Sequence, residues 1–407
     1  MSTEFDVIIV GGGMVGASLV HALTGQGLRI AVIEATSIKT DMPPSFDDRS
    51  IALSHSSANI LRSLGLWSEL EKWLEPIKKI HVSEKGQFGF ARLDQSEENV
   101  DALGYVVTAR EFGRVLLAPL ESFDDVTLFC PATLDSFSVL DDRIEVSIQA
   151  DQPLNISGKL LIAADGGNSQ VRQQLNIDVS EHFYKQYAVI ANVETSKPHD
   201  NVAYERFTEQ GPVALLPMTD NRSALVYTVR EEDVDAVMAQ DDETFLAALQ
   251  QRFGFRVGRF TRIGKRFSHE LVFKEVAEHI RPRIALIGNA AHTIHPVAGQ
   301  GFNLGIRDVA VLAEVILQQA AEGKDYGTLQ NLQEYADWRH KDQREVLQAT
   351  DKLVRLFTNP LATVRVGRNL GILALGVLPG ARHWFSKHAM GMAGRQTRLA
   401  RGLRLGK

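Results

Sequence analysis

Residues Asp6–Glu34 read DVIIVGGGMVGASLVHALTGQGLRIAVIE. Val7–Val10 is a continuous apolar run, the pattern of a strand buried on both faces in a parallel sheet. It runs straight into Gly11, Gly13 and Gly16, in the order G-x-G-x-x-G. Ala17–Leu23 continues as a helix of small and apolar residues, Gly25 and Gly27 end it, and Arg29–Ile33 reads as a second buried strand closed by Glu34. Gly11 permits the tight turn, Gly13 lets the backbone approach a pyrophosphate, and Gly16 lets helix and strand pack closely. The helix N-terminus offers N–H groups and a positive dipole end to the phosphates. Glu34, at the tip of the second strand, is placed to accept hydrogen bonds from an adenosine ribose. A glycine-rich turn alone says little. Here strand, turn, helix, strand and acid all fall in order, which predicts a dinucleotide site. Glu34 would repel a 2′-phosphate, which leaves FAD or NAD.

Working outward, 407 residues suffice for two or three domains' worth of core, or for one large domain interrupted by an inserted one. A hydrophobic fraction of 44% with mean hydropathy −0.10 is that of a globular protein. The single cysteine, Cys130, excludes an intramolecular disulfide and suits a reducing, cytoplasmic compartment. The first strand starts beside Glu4 and Asp6, so no signal peptide is expected there. No apolar run reaches the roughly 18 residues of a spanning helix. The net charge of −6 hides an asymmetry: after Asp351 there is no acid but there are 11 Lys or Arg, while the preceding chain carries 33 basic against 50 acidic residues. That tail contains Leu370–Leu378, LGILALGVL, beside ARHWFSKH. A basic, apolar end on an acidic body predicts an anionic partner surface, including the face of a membrane.

Along the chain, Asp41–Ser54 reads as a loop holding Arg49, Ser57–Leu70 as a helix, Ile80–Leu93 as strands around a turn, and Arg110–Leu120 as a helix. Leu160–Ala164 is again a buried strand, followed at once by Asp165, Gly166 and Gly167. A carboxylate at the end of a buried strand needs a ligand or a structural partner. Between Tyr187 and Phe273 the composition changes to alternating strands joined at Thr219–Asn221, with one helix over Asp241–Phe253, which predicts an inserted antiparallel sheet. Ile284–Ile287 returns to buried strand and leads into GNAAHTIHPVAGQGFNLGIRDV, with a long helix starting near Phe302 or Asn303. His292 and His295 lack a Cys or acid at ligand spacing, so no metal site is expected.

Three stretches together, GGGMVG with Glu34, AADGGNSQVR and GNAAHTIHPVAGQGFNLGIRDV, resemble the aromatic-hydroxylase type of flavoprotein monooxygenase, the p-hydroxybenzoate hydroxylase fold. FDDRSIALS, HVSEKGQFGF, AVIANVETS, YERFTEQGPVALLPM and VGRNLGI are similar to the hydroxylases of ubiquinone biosynthesis, and the likeness covers nearly the whole chain. The resemblance implies an α/β protein: an interrupted Rossmann-like FAD-binding domain, an inserted antiparallel β-sheet substrate domain and a helical C-terminal region. On the sequence the divisions fall at 1–75, 105–178 and 279–340 for the FAD-binding domain, 76–104 and 179–278 for the substrate domain, and 341–407 for the basic C-terminal region.

The resemblance also implies roles. Gly11, Gly13, Gly16 and Glu34 would hold the ADP half of FAD, and Arg110 would lie near its phosphates. Arg49 would lie beside the flavin and the entering nicotinamide. Asp165 and Gly166 form the family's Asp-Gly motif. Gly299, Gly301, Phe302 and Asn303 would line the flavin ring through backbone N–H groups, with Pro296 close to it. Asn289 stands where the family has Asp, and can still bond a ribityl hydroxyl without charge assistance. Non-covalent FAD, with NAD(P)H and O2 as cosubstrates and a C4a-hydroperoxyflavin as oxidant, would hydroxylate a polyprenyl-methoxyphenol among other ubiquinone-biosynthesis proteins. The open alternatives are a sister hydroxylase acting on another ring carbon, and a non-catalytic FAD-bound scaffold. No residue that deprotonates the phenol can be named from the sequence.

Overall fold

A computed structural model describes residues 3–37, 45, 48–293, 300–358 and 362–406, so Pro296, Gly299 and His295 lie outside the described residues. The described strands form sheets of eight, nine and three strands. In the first, Ile284–Leu286, Pro153–Ala163, Glu4–Val10, Ile30–Ile33 and Val126–Phe129 lie side by side and parallel, drawn from the start, middle and later parts of the chain. Alternate residues of Glu4–Val10 feed different cores. Val7 and Ile9 pack with the helices Met14–Leu23 and Gln300–Ala321, while Phe5, Ile8 and Val10 pack with Leu134, Val146 and Ile156. A strand covered on both faces has no polar side to show, hence the unbroken run.

The second sheet is the inserted one, and it is antiparallel except at one joint. Val179–Thr195 pairs with Arg222–Arg230 and Phe267–Val276, and Val202–Phe207 pairs with Val213–Met218. The exception is Val202–Phe207, which lies parallel to Lys79–Glu84, itself in a hairpin with Phe90–Asp94. Helix Asp242–Phe253 covers one face through Phe245, Leu249 and Phe253, and Asp241 caps it by accepting from Thr244 N at 2.7 Å. The expected helix over Ser57–Leu70 is two pieces, His55–Ser63 and Trp67–Leu70, because Gly65 takes φ +79° between them. The long helix starts at Gln300, two residues before its expected start.

The C-terminal region is helical over Leu329–Thr358, Ala362–Val377 and Pro379–Ala389. Acids of the body reach two of its arginines and one histidine. Arg368 is buried in a bidentate pair with Glu84, Arg382 meets Glu97 at 2.7 Å and His383 meets Glu98 at 2.7 Å. The run LGILALGVL is amphipathic in place: Ile372 is 4% exposed against Phe207 and Ala91, whereas Val377 is 73% exposed. No helix among the described residues is long and apolar enough to cross a membrane.

Candidate active site

The three motif stretches, far apart in sequence, converge on the first helix. A Cβ built on Gly11, which has φ +100°, would stand 2.5 Å from Ala164 O and 2.9 Å from Asp165 Cα, so the glycine loop and the Asp-Gly turn touch backbone to backbone. A Cβ on Gly16 would lie 1.9 Å from Gly11 O. On the other side, Val15 packs against Gly288 and Gly305, where added Cβ atoms would meet it at 3.1 Å and 3.0 Å. Buried Arg172 ties the second motif to the third, donating to Gly167 O at 2.6 Å and to Ala290 O at 2.9 Å. These are packing glycines and a packing arginine. Gly13 differs, since a Cβ there meets nothing within 4 Å.

That open space lies over the N-terminus of Met14–Leu23, which carries no side-chain cap. The first-turn N–H groups of a helix have no intrahelical partner and favour an anion. Glu34 accepts from Gly12 N and Thr36 N, each at 2.7 Å, through different oxygens, and each oxygen keeps a lone pair for a ribose hydroxyl. Asp165 Oδ2 caps the short helix after it, accepting from Gln170 N at 2.8 Å, while its Oδ1 is buried with no partner among the described residues. A buried, unsatisfied acceptor beside a ready anion site is a place for a ligand that donates hydrogen bonds. The cradle fits FAD on both counts.

Other expected residues are placed less simply. Arg110 is held by two carboxylates, donating to Asp48 Oδ2 at 2.9 Å and pairing with Glu111, so a phosphate would share it. Arg49 is exposed, and it helps depress the pKa of His269, after burial as the larger cause. Its neighbour Asp48 is anchored to the inserted sheet, whose Asn192 donates to Asp48 O at 2.8 Å. Asn289 is exposed, and Gly301 has open space where a Cβ would go. Phe302 turns its ring edge-on to Phe112, 5.0 Å between centroids. Asn303 spends its side chain internally, accepting from Ser54 N and Ser57 Oγ at 2.7 Å and donating to Ala52 O at 2.9 Å. It therefore fixes the start of the long helix against the strand Ser50–Ser54.

Two features were missed in the sequence. The first is a buried ionic network around Asp308. It accepts from Gly288 N at 2.9 Å, His292 Nε2 at 2.7 Å, Arg339 Nε at 2.7 Å and Gln343 Nε2 at 2.9 Å. Burial alone would raise its pKa, but His292 and Arg339 outweigh this and hold it well below the carboxylate range. His292 is thus a structural partner, and the network sets the Gly288 turn that carries Asn289. An acid inside the apolar stripe of GFNLGIRDVAVLAEVI was the available signal.

The second is an apolar cavity of about 380 Å³ that runs from Ser54 and Asn303 to the inserted sheet and the helix Ala362–Val377. Its walls include Leu53, Val82, Leu93, Phe207, Ile372 and Phe385. Gly367 and Gly371, one turn apart, face it with open space at their Cβ positions. Arg368 closes the helix onto the sheet through Glu84. Within this wall lies Glu205, which has no hydrogen bond or ion pair among the described residues and whose pKa burial pushes up to about 7. It is only partly buried because what it faces is the cavity.

Comparison with known proteins agrees with this geometry. An FAD binding domain family model matches residues 4–350. The ubiquinone hydroxylase UbiL of Rhodospirillum rubrum is 36% identical over 98% of this chain and 93% of its own. The 3-demethoxyubiquinol 3-hydroxylase of Escherichia coli is 31% identical over 95% of this chain and 98% of its own. Among solved structures, the p-nitrophenol 4-monooxygenase PnpA of Pseudomonas putida superposes with a TM-score of 0.79 at 19% identity, over 98% of this chain and all of its own, a likeness of fold. Matched over most of its length, the chain belongs to the FAD-dependent monooxygenase family that includes the ubiquinone-biosynthesis hydroxylases.

Proposed function

We propose that this enzyme hydroxylates the ring of a polyprenyl-methoxyphenol in ubiquinone biosynthesis. The observation that carries the reading is the cavity, apolar along its walls and meeting the start of the long helix at Asn303. In this reading FAD is held by the turn of Gly11, Gly13 and Gly16, whose outer two also serve packing, with Glu34, Arg110, Asp165, Gly166, Asn289, Gly301, Phe302 and Asn303; Gly299 joins this set and Pro296 is a flavin-proximal residue, both outside the described residues. Arg49 stands at the flavin and nicotinamide entrance. Bound FAD, reduced by NAD(P)H, supplies the activation of O2 that the protein side chains cannot. The chain's own work is to seat the ring, to keep water out with the walls around Leu93 and Ile372, and to control the phenol proton.

The attacked carbon is the one para to the phenol oxygen, in a 2-polyprenyl-6-methoxyphenol. That choice rests on the wording of AVIANVETS and YERFTEQGPVALLPM, and a neighbouring methoxy or methyl contact is worth only about 1–3 kcal/mol. Deleting the gene in its own host should accumulate 2-polyprenyl-6-methoxyphenol, identified by mass. Accumulation of 2-polyprenylphenol or of a later demethoxy-quinone would move the chain to a sister step.

In the same reading the substrate arrives from a membrane surface. Phe88, at 99% exposure, Val377, Leu378 and Trp384 are exposed on the hairpin Lys79–Asp94 and on the C-terminal helices, of which Ala362–Val377 packs against that hairpin. Truncating the tail would remove a cavity wall, so point changes are the cleaner test. Val377→Glu with Trp384→Glu should lower binding to anionic liposomes about tenfold at low salt, with FAD content unchanged. Equal sedimentation of both proteins would remove the membrane role.

A further inference from the structure

Glu205 belongs to no function assigned above, and its setting is unusual for a carboxylate. It lies mid-strand in Val202–Phe207, on the face shared with Ala203 and Phe207. Its cross-strand neighbours are Val82 on one side and Ala214 on the other. On that face the next acid, Glu84, is closed into its pair with Arg368, whereas Glu205 faces the cavity unpaired. A carboxylate turned into an apolar cavity without donors is costly, and the wall would be more stable with an apolar residue there. Such a group is a candidate for chemistry rather than architecture.

We propose that Glu205 is the residue that binds the substrate's phenol hydroxyl and takes its proton. The assignment rests on the reading of the cavity as the seat of a polyprenyl phenol. That molecule has an apolar body and one hydrogen-bond donor, and the cavity has apolar walls and, among the described residues, one unpaired acceptor carboxylate. In the step itself the phenol O–H bond breaks, the proton passes to a Glu205 carboxylate oxygen, and the electron pair stays on the phenol oxygen. There it enriches the ring carbons ortho and para to that oxygen, the positions open to an electrophilic oxygen. The oxidant is O2, one atom of which goes to the ring while the two electrons of NAD(P)H reduce the other to water; the ring carbon loses its hydrogen as a proton, and the proton held by Glu205 returns to the product's oxygen. Desolvation serves this step: by moving the Glu205 carboxyl from 4.5 up to about 7, it narrows the gap to a phenol near 10.

Few other groups can imitate the titration. Among the described residues, the other ionisable groups on the cavity wall are Arg368, joined to Glu84 of the strand Lys79–Glu84, and Tyr204, whose ring meets His81 edge-on on the sheet's far face. Phe90–Asp94 contributes Ala91 and Leu93, Ser50–Ser54 contributes Ala52, Leu53 and Ser54, and Pro379–Ala389 contributes Phe385 and Ala389.

The test uses FAD-loaded enzyme and two probes, 2-geranyl-6-methoxyphenol and its O-methyl ether, with dissociation constants read from the flavin absorbance change. Wild type should bind the phenol about tenfold or more tightly than the ether, and this preference should grow as pH rises from 6 to 8. In Glu205→Leu the preference should fall below about twofold, with ether binding and FAD content kept. Glu205→Gln, which preserves volume, should show a small preference that is flat with pH. If either variant keeps the wild-type preference and its pH dependence, Glu205 is not the acceptor. If wild type binds both probes equally, the Glu205 assignment fails while the polyprenyl-phenol reading stands. If wild type binds neither, both fall.

Discussion

A Gly13→Val protein is expected to fold and to purify without flavin. A Cβ on Gly13 meets nothing within 4 Å, so the substitution starts from open space in the apoprotein. It does fill the approach to the helix N-terminus, where backbone N–H groups meet the pyrophosphate. Loss of two or more such charge-assisted bonds, each worth roughly 1.5–3 kcal/mol, should weaken FAD binding by at least about a hundredfold. Gly16→Val is the contrasting variant. Its Cβ would stand 1.9 Å from Gly11 O, a backbone atom that cannot step aside, and the loop itself should not form. The pair of variants separates ligand space from packing space three residues apart. Flavin absorbance per protein and the far-ultraviolet circular dichroism of each variant decide the matter. A yellow Gly13→Val protein would move the cofactor away from this turn.

Asp308→Ala should be among the most destabilising single changes in the chain. Asp308 is fully buried, and its removal strands Arg339, 2% exposed, together with His292 and the Gly288 N–H. Breaking a buried ion pair from one side costs about 3–5 kcal/mol, a large part of the roughly 5–15 kcal/mol that holds a domain folded. Since the folded-state pKa lies below the ordinary 3.8, the contribution is fully present above that value and is lost on acidification. The deficit in thermal midpoint against wild type should therefore be steady from about pH 8 to pH 5 and narrow only below about pH 4. Asp308→Asn keeps the shape and part of the bonding, so it should fold. Because Gly288 is no longer tied as firmly, it should hold FAD less tightly than wild type. An Asp308→Ala protein with an unchanged midpoint would show that the network contributes little.

The legible part of this protein is its periodic part. The run Val7–Val10, the glycines at 11, 13 and 16 and the alternation through Tyr187–Phe273 each carry their structure in local chemistry. A strand covered on both faces must be apolar throughout, and a half-covered one must alternate. Alternation was visible in Ala203–Glu205–Phe207 as well, and it places Glu205 on an apolar face. What period cannot say is whether that face meets helix, solvent or a cavity. The basic tail shows the same limit: its composition is plain, but Arg368, Arg382 and His383 meet Glu84, Glu97 and Glu98 roughly 285 residues away. Charge counts along a chain contain no such pairing.

The sequence by itself therefore determined the strand, glycine turn and helix at the start of the chain, the antiparallel sheet and the family, because such a turn is built from consecutive residues whose spacing is its geometry. Only the tertiary structure decided that Asp308 is a structural anion, that Gly367 and Gly371 open a cavity, and that an unpaired Glu205 looks into it. Those properties arise where the strands Lys79–Glu84 and Val202–Phe207 lie parallel and the helix Ala362–Val377 closes over them. Burial, and with it the desolvation that raises one carboxyl and leaves another ionised, belongs to the neighbours a residue meets in space.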